Sequence, residues 1–265
     1  MTQLVSRVLV ALVGLPLVLG AVWLGGWWVF ALVLVAALVA LHELYVMARA
    51  LRPLVLAGYA GAVLALLGAQ LGGLEWMLAG ALATLPLAFL LYGIASTRQS
   101  ATVTLAATVL GVVWIAVGLA HLGLLRDLPE HGRLATYALL LAVFAGDTAA
   151  YAVGRLAGRH KLAPAISPGK TWEGFVAGTL AALAAAFFTF YDTGFMDGWR
   201  SLAFGGAVAV AGAAGDLFES SVKRDLQVKD SGSLLAAHGG MLDRIDSLLF
   251  ATVASFYVVL AFGYG

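Results

Sequence analysis

The chain has 265 residues, of which 62% are hydrophobic and only 11% are charged, against about 25% charged residues in an average soluble domain. So few charged residues cannot cover the surface of a soluble protein of this size, and the composition favours a protein whose solvent is lipid. The net charge of +1, without a basic tail, gives no indication of nucleic-acid binding. The absence of cysteine excludes disulfides and thiolate metal ligands.

Apolar stretches long enough to cross a bilayer, about 20 residues each, follow one another along the chain. Helices satisfy their own backbone hydrogen bonds in lipid, whereas a β-barrel would need short alternating segments. The sequence therefore predicts an all-α integral membrane protein, a polytopic bundle of about nine transmembrane helices. The predicted spans are 7–24, 27–47, 54–71, 75–93, 102–125, 134–157, 174–191, 200–222 and 243–262. The first run has no small-x-small cleavage site, so we expect it to be retained rather than removed as a signal peptide.

Basic residues predict which side of the membrane the loops face. With a cytoplasmic N-terminus, all basic residues fall on the cytoplasmic side except Arg126, Arg133 and Arg200. Charged residues are also unevenly distributed along the chain, because they cluster only from Asp147 onward. We therefore expect an N-terminal region of transmembrane helices over residues 1–125 and a C-terminal transmembrane catalytic region over residues 126–265.

Two carboxylates fall inside predicted spans. Asp147 lies in the span 134–157 and Asp216 in the span 200–222. A carboxylate in the membrane costs about 2.5–3.5 kcal/mol on insertion scales, and it is tolerated when it faces a cation, a polar cavity or a partner. Helical spacing places other polar residues on the same faces: Tyr151 and Arg155 with Asp147, and Glu219, Ser220 and Lys223 with Asp216. The alternative to a functional site is a structural pair of Asp with Arg or Lys inside the bundle.

The longest polar cluster begins where the eighth predicted span ends. It holds, in order, Lys223, Arg224, Lys229, Asp230, His238, Asp243 and Asp246. Lys and Arg at a membrane surface suit phosphate groups. The two last carboxylates, at i and i+3 of a helix, point in one direction, which suits a hard cation such as Mg²⁺. The alternative, a loop that only fixes topology, requires positive charge but no particular order of Asp, His and Gly.

A third cluster lies between the sixth and seventh predicted spans. Gly169-Lys170-Thr171 resembles the end of a P-loop, but a P-loop needs a glycine five positions before Gly169, where this chain has Pro164. We therefore reject the P-loop. What remains is a loop with Ser167, Lys170 and Thr171 that enters the N-terminus of the seventh span, a position suited to phosphate. A plain cytoplasmic turn is the alternative.

Together these clusters resemble the phosphatidate cytidylyltransferase (CDP-diacylglycerol synthase) family. The long match runs from Ser220 to Asp246: a serine, an apolar residue, Lys-Arg, four residues, Lys-Asp, a small residue, His-Gly-Gly, an apolar residue and Asp-Arg-x-Asp. A second match runs from Gly146 to Glu173 and ends in Ser-Pro-Gly-Lys-Thr-Trp-Glu. The N-terminal half matches only in hydropathy, span count and the His42-Glu43 pair. Ala236-Ala237 stand where family members usually have Pro-Gly.

The resemblance implies an enzyme that uses CTP and phosphatidate to make CDP-diacylglycerol and pyrophosphate, with Mg²⁺ and room for a second, monovalent cation. It implies a protein of the bacterial inner membrane, in contact with the bilayer lipid and with its site facing the cytoplasm, and it leaves a homodimer open. On this basis the metal ligands are Asp216, Asp243 and Asp246, with Asp147 joining through water. The catalytic residues are Lys223, Arg224, Lys229, Asp230 and His238. The substrate-binding residues are Arg155, Ser167, Lys170, Thr171 and Ser220.

Two other functions use similar residues. A CTP-dependent kinase of a membrane polyprenol would direct attack at the γ-phosphorus and release CDP. A transporter would also carry carboxylates inside the membrane, but it should place them near the bilayer midplane within repeats. The length of the 220–246 match argues against the kinase. The carboxylates of this chain lie toward one side of the membrane and no repeat is evident, which argues against a transporter.

Overall fold

The computed structural model of the protein describes residues 3–95, 100–232 and 239–264. Its helices are α1 (Gln3–Leu24), α2 (Trp27–Met47), α3 (Val55–Ile94), α4 (Ala101–Gly111), α5 (Val117–Arg126), α6 (Gly132–Ala157), α7 (Trp172–Phe190), α8 (Gly198–Asp225) and α9 (Leu242–Ala261). A 3-10 turn over Ala48–Leu51 follows α2, and a π-helical segment, Val112–Ala116, joins α4 to α5. The prediction of an all-α polytopic membrane protein is confirmed.

Seven helical segments among the described residues are long and apolar enough to cross a bilayer. They are Trp27–Leu51, Val55–Ile94, Ala101–Arg126, Gly132–Ala157, Trp172–Phe190, Gly198–Asp225 and Leu242–Ala261, and Leu12–Leu24 is a shorter apolar helix. The predicted count of about nine spans is therefore not confirmed. Half of the difference lies in α3, because its 40 residues cover two of the predicted spans. The other half lies at the first predicted span, 7–24, where the apolar helix that is found, Leu12–Leu24, is shorter.

A glycine divides α3 into two halves. Gly73 has a φ of 70° and a ψ of −152°, which is not helical and which side chains other than glycine rarely adopt. The halves pack against each other, since Gly61 contacts Thr84 and Gly80 contacts the backbone of Leu64. A continuous helix of this length would extend about 60 Å, twice the hydrocarbon thickness of a bilayer. The break at Gly73 lets the polypeptide return instead.

The chain folds into two compact units. One unit comprises Met1–Leu124 with Leu226–Ile245, and the other comprises Leu125–Asp225 with Asp246–Gly265. In the first unit, the buried Tyr45 of α2 donates its hydroxyl proton to the carbonyl oxygen of Thr108 on α4, at 2.7 Å. The assignment of catalysis to residues 126–265 stays a prediction.

Close helix approach builds the second unit. A Cβ on Gly174 or Gly178 of α7 would lie 2.7 or 2.8 Å from a carbonyl oxygen of α6, so only glycine permits this contact. Gly205 of α8 makes a similar contact with the carbonyl oxygen of Ala182 on α7. Without a hydrophobic driving force between helices in lipid, such close packing is a main source of association. It holds α6, α7 and α8 together around the polar residues they carry.

A β-hairpin connects α6 to α7, where the sequence predicts a loop. Strand β1 (Lys161–Ala163) pairs antiparallel with β2 (Ser167–Thr171), with Lys161 opposite Thr171. Ser, Pro, Gly and Lys have low strand propensity, which is why the local sequence gives no strand signal. Thr171 then caps α7, because its hydroxyl oxygen accepts the N–H of Gly174 at 3.1 Å. The hairpin thus fixes the position of Lys170 at the end of β2.

Candidate active site

Three carboxylates meet in the second unit. Asp216 and Glu219 on α8 and Asp246 on α9 each offer an oxygen, and these oxygens lie within 4.8 Å of one another. The side chain of Glu219 is only 1% exposed. A Cβ on Gly215 would lie 2.5 Å from the carbonyl oxygen of Asp246, so glycine at this position lets α8 and α9 approach closely. We refer to Asp216, Glu219 and Asp246 as the acidic cluster.

Two lysines supply positive charge to the acidic cluster. The Nζ of Lys170, from the hairpin, lies 2.6 Å from Oδ2 of Asp216. The Nζ of Lys223 lies 2.7 Å from Oε2 of Glu219, one turn earlier on α8. Like charges at this spacing in a poorly hydrated site repel strongly, so the cluster requires such counter-charges. Oxygen ligands of this kind could hold a metal ion.

Asp147 lies near the acidic cluster. Its carboxylate on α6 is close enough to Asp216, Asp246 and Lys170 to interact with them electrostatically. Three helices therefore contribute carboxylates to the same region of the second unit. A role for Asp147 as a ligand through water stays a prediction.

Asp243 has a different environment from Asp246, although both are in the first two turns of α9. Its carboxylate belongs to the first unit and accepts the backbone N–H of Ser231 at 3.1 Å and that of Gly240 at 3.0 Å. These bonds hold the turn before α9. Metal ligation by Asp243 stays a prediction. In the structure, its carboxylate holds the backbone of Ser231 and Gly240.

The remaining predicted residues are placed as follows. Arg224 donates Nε–H to the carbonyl oxygen of Ile166 in the hairpin turn, at 3.3 Å. Arg155 donates to the hydroxyl of Tyr151 at 2.9 Å, and the hydroxyl of Ser220 lies 3.5 Å from Oδ1 of Asp216.

The other predicted residues lie on the hairpin or beyond α8. Ser167 and Thr171 begin and end β2. Lys229 and Asp230 are exposed beyond α8, and His238 lies outside the described residues.

Sequence reasoning missed two acidic residues. Helical spacing places Glu219 on the face of Asp216, but the predicted metal ligands do not include it. The face that the two residues share is the sequence feature that could have identified Glu219. Glu43 on α2 was noted only as part of the His42-Glu43 pair. In the structure its buried carboxylate accepts the backbone N–H groups of Met241 and Leu242, each at 2.9 Å. No local pattern connects residues so distant along the chain.

The chain also matches a known protein family. The model of the cytidylyltransferase family matches residues 5–262, which is nearly the whole chain. The chain belongs to the cytidylyltransferase family.

Individual relatives of this protein carry a more specific name. The chain is 39% identical to the phosphatidate cytidylyltransferase of Mycobacterium bovis over 153 residues, which cover 58% of this chain and 50% of that protein. It is 44% identical to the phosphatidate cytidylyltransferase of Haemophilus influenzae over 128 residues, 46% of this chain and 44% of that protein. With that of Staphylococcus haemolyticus it shares 38% identity over 160 residues, 60% of each chain. The chain thus matches about half the length of these curated relatives.

The Lys223–Glu219 pair gives a test of the electrostatics of the acidic cluster. We expect Lys223→Met to lower the free energy of unfolding by about 3–5 kcal/mol, because it leaves a buried carboxylate without its cation. Thermal unfolding in detergent measures the change. The double variant Lys223→Met/Glu219→Gln should recover most of the loss, and Lys229→Met, at an exposed lysine, should change stability little. A single variant as stable as the unmodified protein would contradict the importance of the pair.

Proposed function

We propose that this protein transfers CMP from CTP to phosphatidate, giving CDP-diacylglycerol and pyrophosphate. The observation that carries the proposal is the acidic cluster, paired with Lys170 and Lys223, in a membrane protein of the cytidylyltransferase family. The names of the curated relatives and the residues of the 220–246 match support the same substrates.

The acidic cluster fits a hard cation, and we propose Mg²⁺. Carboxylate oxygens are the ligands that Mg²⁺ prefers, and the 4.8 Å limit on their separation suits several oxygens around one ion. The ligands in this proposal are Asp216, Glu219 and Asp246. We propose Asp147 and Asp243 as further ligands. The proposal also includes a second, monovalent cation beside the Mg²⁺ ion. When bound, such an ion neutralises charge on phosphate oxygens.

The reaction needs positioning and charge neutralisation more than covalent catalysis. A phosphate oxygen of phosphatidate forms a bond to the α-phosphorus of CTP, and the bond between that phosphorus and the α,β-bridging oxygen breaks as pyrophosphate leaves. The attacking phosphate is already ionised, so no general base is required. We assign Lys170 and Lys223 to the phosphates beside the acidic cluster, and Arg224 and Lys229 to the leaving pyrophosphate and to CTP. Arg155, Ser167, Thr171, Ser220, Asp230 and His238 are proposed as further polar contacts.

Product analysis tests the reaction. With CTP labelled at the α-phosphate and phosphatidate in detergent micelles, we expect the label to appear in lipid and unlabelled pyrophosphate to be released in equal amount. Phosphatidate and a polyprenol are compared as acceptors. Label that stays in soluble CDP, with a polyprenol phosphorylated, would instead identify a kinase, and binding of either lipid without turnover would favour a transporter.

Substitutions in the acidic cluster test the metal. We expect Asp246→Asn and Glu219→Gln each to lower turnover by at least about 100-fold, since even outer partners of metal ligands commonly contribute 10–100-fold. Mg²⁺ should also raise the unfolding temperature of the unmodified protein but not of these variants, because only a bound ion stabilises the folded state. Asp127→Asn, at an exposed position, is the control. Mg²⁺ stabilisation that persists in Asp246→Asn would remove that residue from the proposed site.

The proposed orientation places the hairpin and the Lys223–Lys229 segment in the cytoplasm, where CTP is, with the protein in the bacterial inner membrane. The chain has no native cysteine, so single cysteines report topology without background. We expect Arg52→Cys and Ala165→Cys to react with an impermeant thiol reagent only from the cytoplasmic side, and His131→Cys only from outside. Labelling of positions 165 and 131 from one side would refute the orientation.

A further inference from the structure

We infer that Glu43 is a positioning residue for the start of α9, and that it acts on the reaction through that helix. The inference rests on the proposed function, because α9 carries Asp246 of the acidic cluster. It assigns a specific task to an N-terminal helix outside the 220–246 match.

The contacts of Glu43 are those of a helix cap supplied by another helix. Its side chain on α2 is 2% exposed. Oε1 accepts the N–H of Met241 and Oε2 accepts that of Leu242, each at 2.9 Å. N–H groups at a helix start have no acceptor within the helix, and a carboxylate there also interacts favourably with the helix dipole. Oε2 further lies 3.4 Å from Oγ of Ser231.

The turn before α9 is shaped around this carboxylate. A Cβ on Gly240 would lie 2.6 Å from Oε2 of Glu43 and would overlap Oγ of Ser231. A Cβ on Gly232 would lie 3.0 Å from Oε1 of Glu43. Glycine at both positions therefore makes room for the carboxylate.

Asp243, which lies within α9 itself, holds the same turn. It accepts the N–H groups of Ser231 and Gly240, while Glu43 accepts those of the next two residues. Two carboxylates thus bind the N–H groups of three successive residues, 240–242, and that of Ser231 at the point where α9 begins. Since α9 is one continuous helix from Leu242 to Ala261, its first turn fixes the rotation and register of Asp246 on the next turn.

Both carboxylate oxygens of Glu43 are engaged by backbone N–H groups of the turn before α9. A residue of this kind alters the placement of groups that meet the substrate, and a misplacement of about 1 Å can reduce a rate up to 100-fold. Its loss should therefore lower kcat more than it raises the KM for CTP.

Hydrogen exchange and kinetics on the full chain in detergent test the inference. Glu43→Gln keeps the size of the side chain but leaves one acceptor oxygen for two N–H groups. We expect amides 241 and 242 to exchange about tenfold faster or more, kcat to fall between about tenfold and 100-fold, and the KM for CTP to stay within about twofold. Glu75→Gln, at an exposed glutamate of α3, is the matched control and should change neither measurement.

The outcomes separate this inference from the proposed function. In Glu43→Gln, unchanged exchange at amides 241 and 242 would overturn the inference, and so would a raised KM with an unchanged kcat. Lower thermal stability with full turnover per folded molecule would also overturn it. Should Glu43→Gln fail to fold, Glu43→Asp keeps the charge on a shorter side chain and is expected to show the same faster exchange. If the unmodified protein makes no CDP-diacylglycerol, the proposed function fails, while the exchange measurement still decides whether Glu43 fixes the start of α9.

Discussion

The cost of carboxylates inside membrane-spanning helices is the constraint on which the rest of the second unit depends. Each such group is expensive in a poorly hydrated environment, and three of them lie within 4.8 Å in the acidic cluster. Lys223 offsets part of the cost from the same helix, and Lys170 does so from the hairpin. The hairpin therefore has an electrostatic role, because it places the ammonium group of Lys170 beside Asp216, whereas α8 places that of Lys223 beside Glu219.

The acidic residues fall into two chemical types. Glu43 and Asp243 accept backbone N–H groups and so hold the turn before α9. Asp216 and Glu219 are paired with flexible ammonium groups, which in the proposed reaction move to a phosphate when a metal ion takes their place. The first type suits a structural task and the second suits a site that exchanges partners during a reaction.

Glycine has two tasks in this fold. Gly174, Gly178 and Gly215 allow backbones to approach within the second unit, and such contacts favour association of helices in lipid. Gly240, within the stretch that resembles the family signature, instead makes room for a carboxylate from α2. The same residue type thus explains both the packing of the bundle and the shape of the turn that precedes α9.

Hydropathy alone determined that this is an all-α membrane protein, because the transfer of about 20 consecutive apolar residues into lipid is a local property. The charged residues within and beside the predicted spans also identified candidates: Asp216 and Asp246 lie inside spans, where a carboxylate is costly, and Lys170 and Lys223 lie in the polar clusters that border them. Only the tertiary structure decided that Glu219 joins the acidic cluster, that Lys170 reaches it on a β-hairpin, and that Glu43 caps α9. Hydrogen bonds and ion pairs act over about 3 Å between groups distant in sequence, so no local pattern records which of them will form.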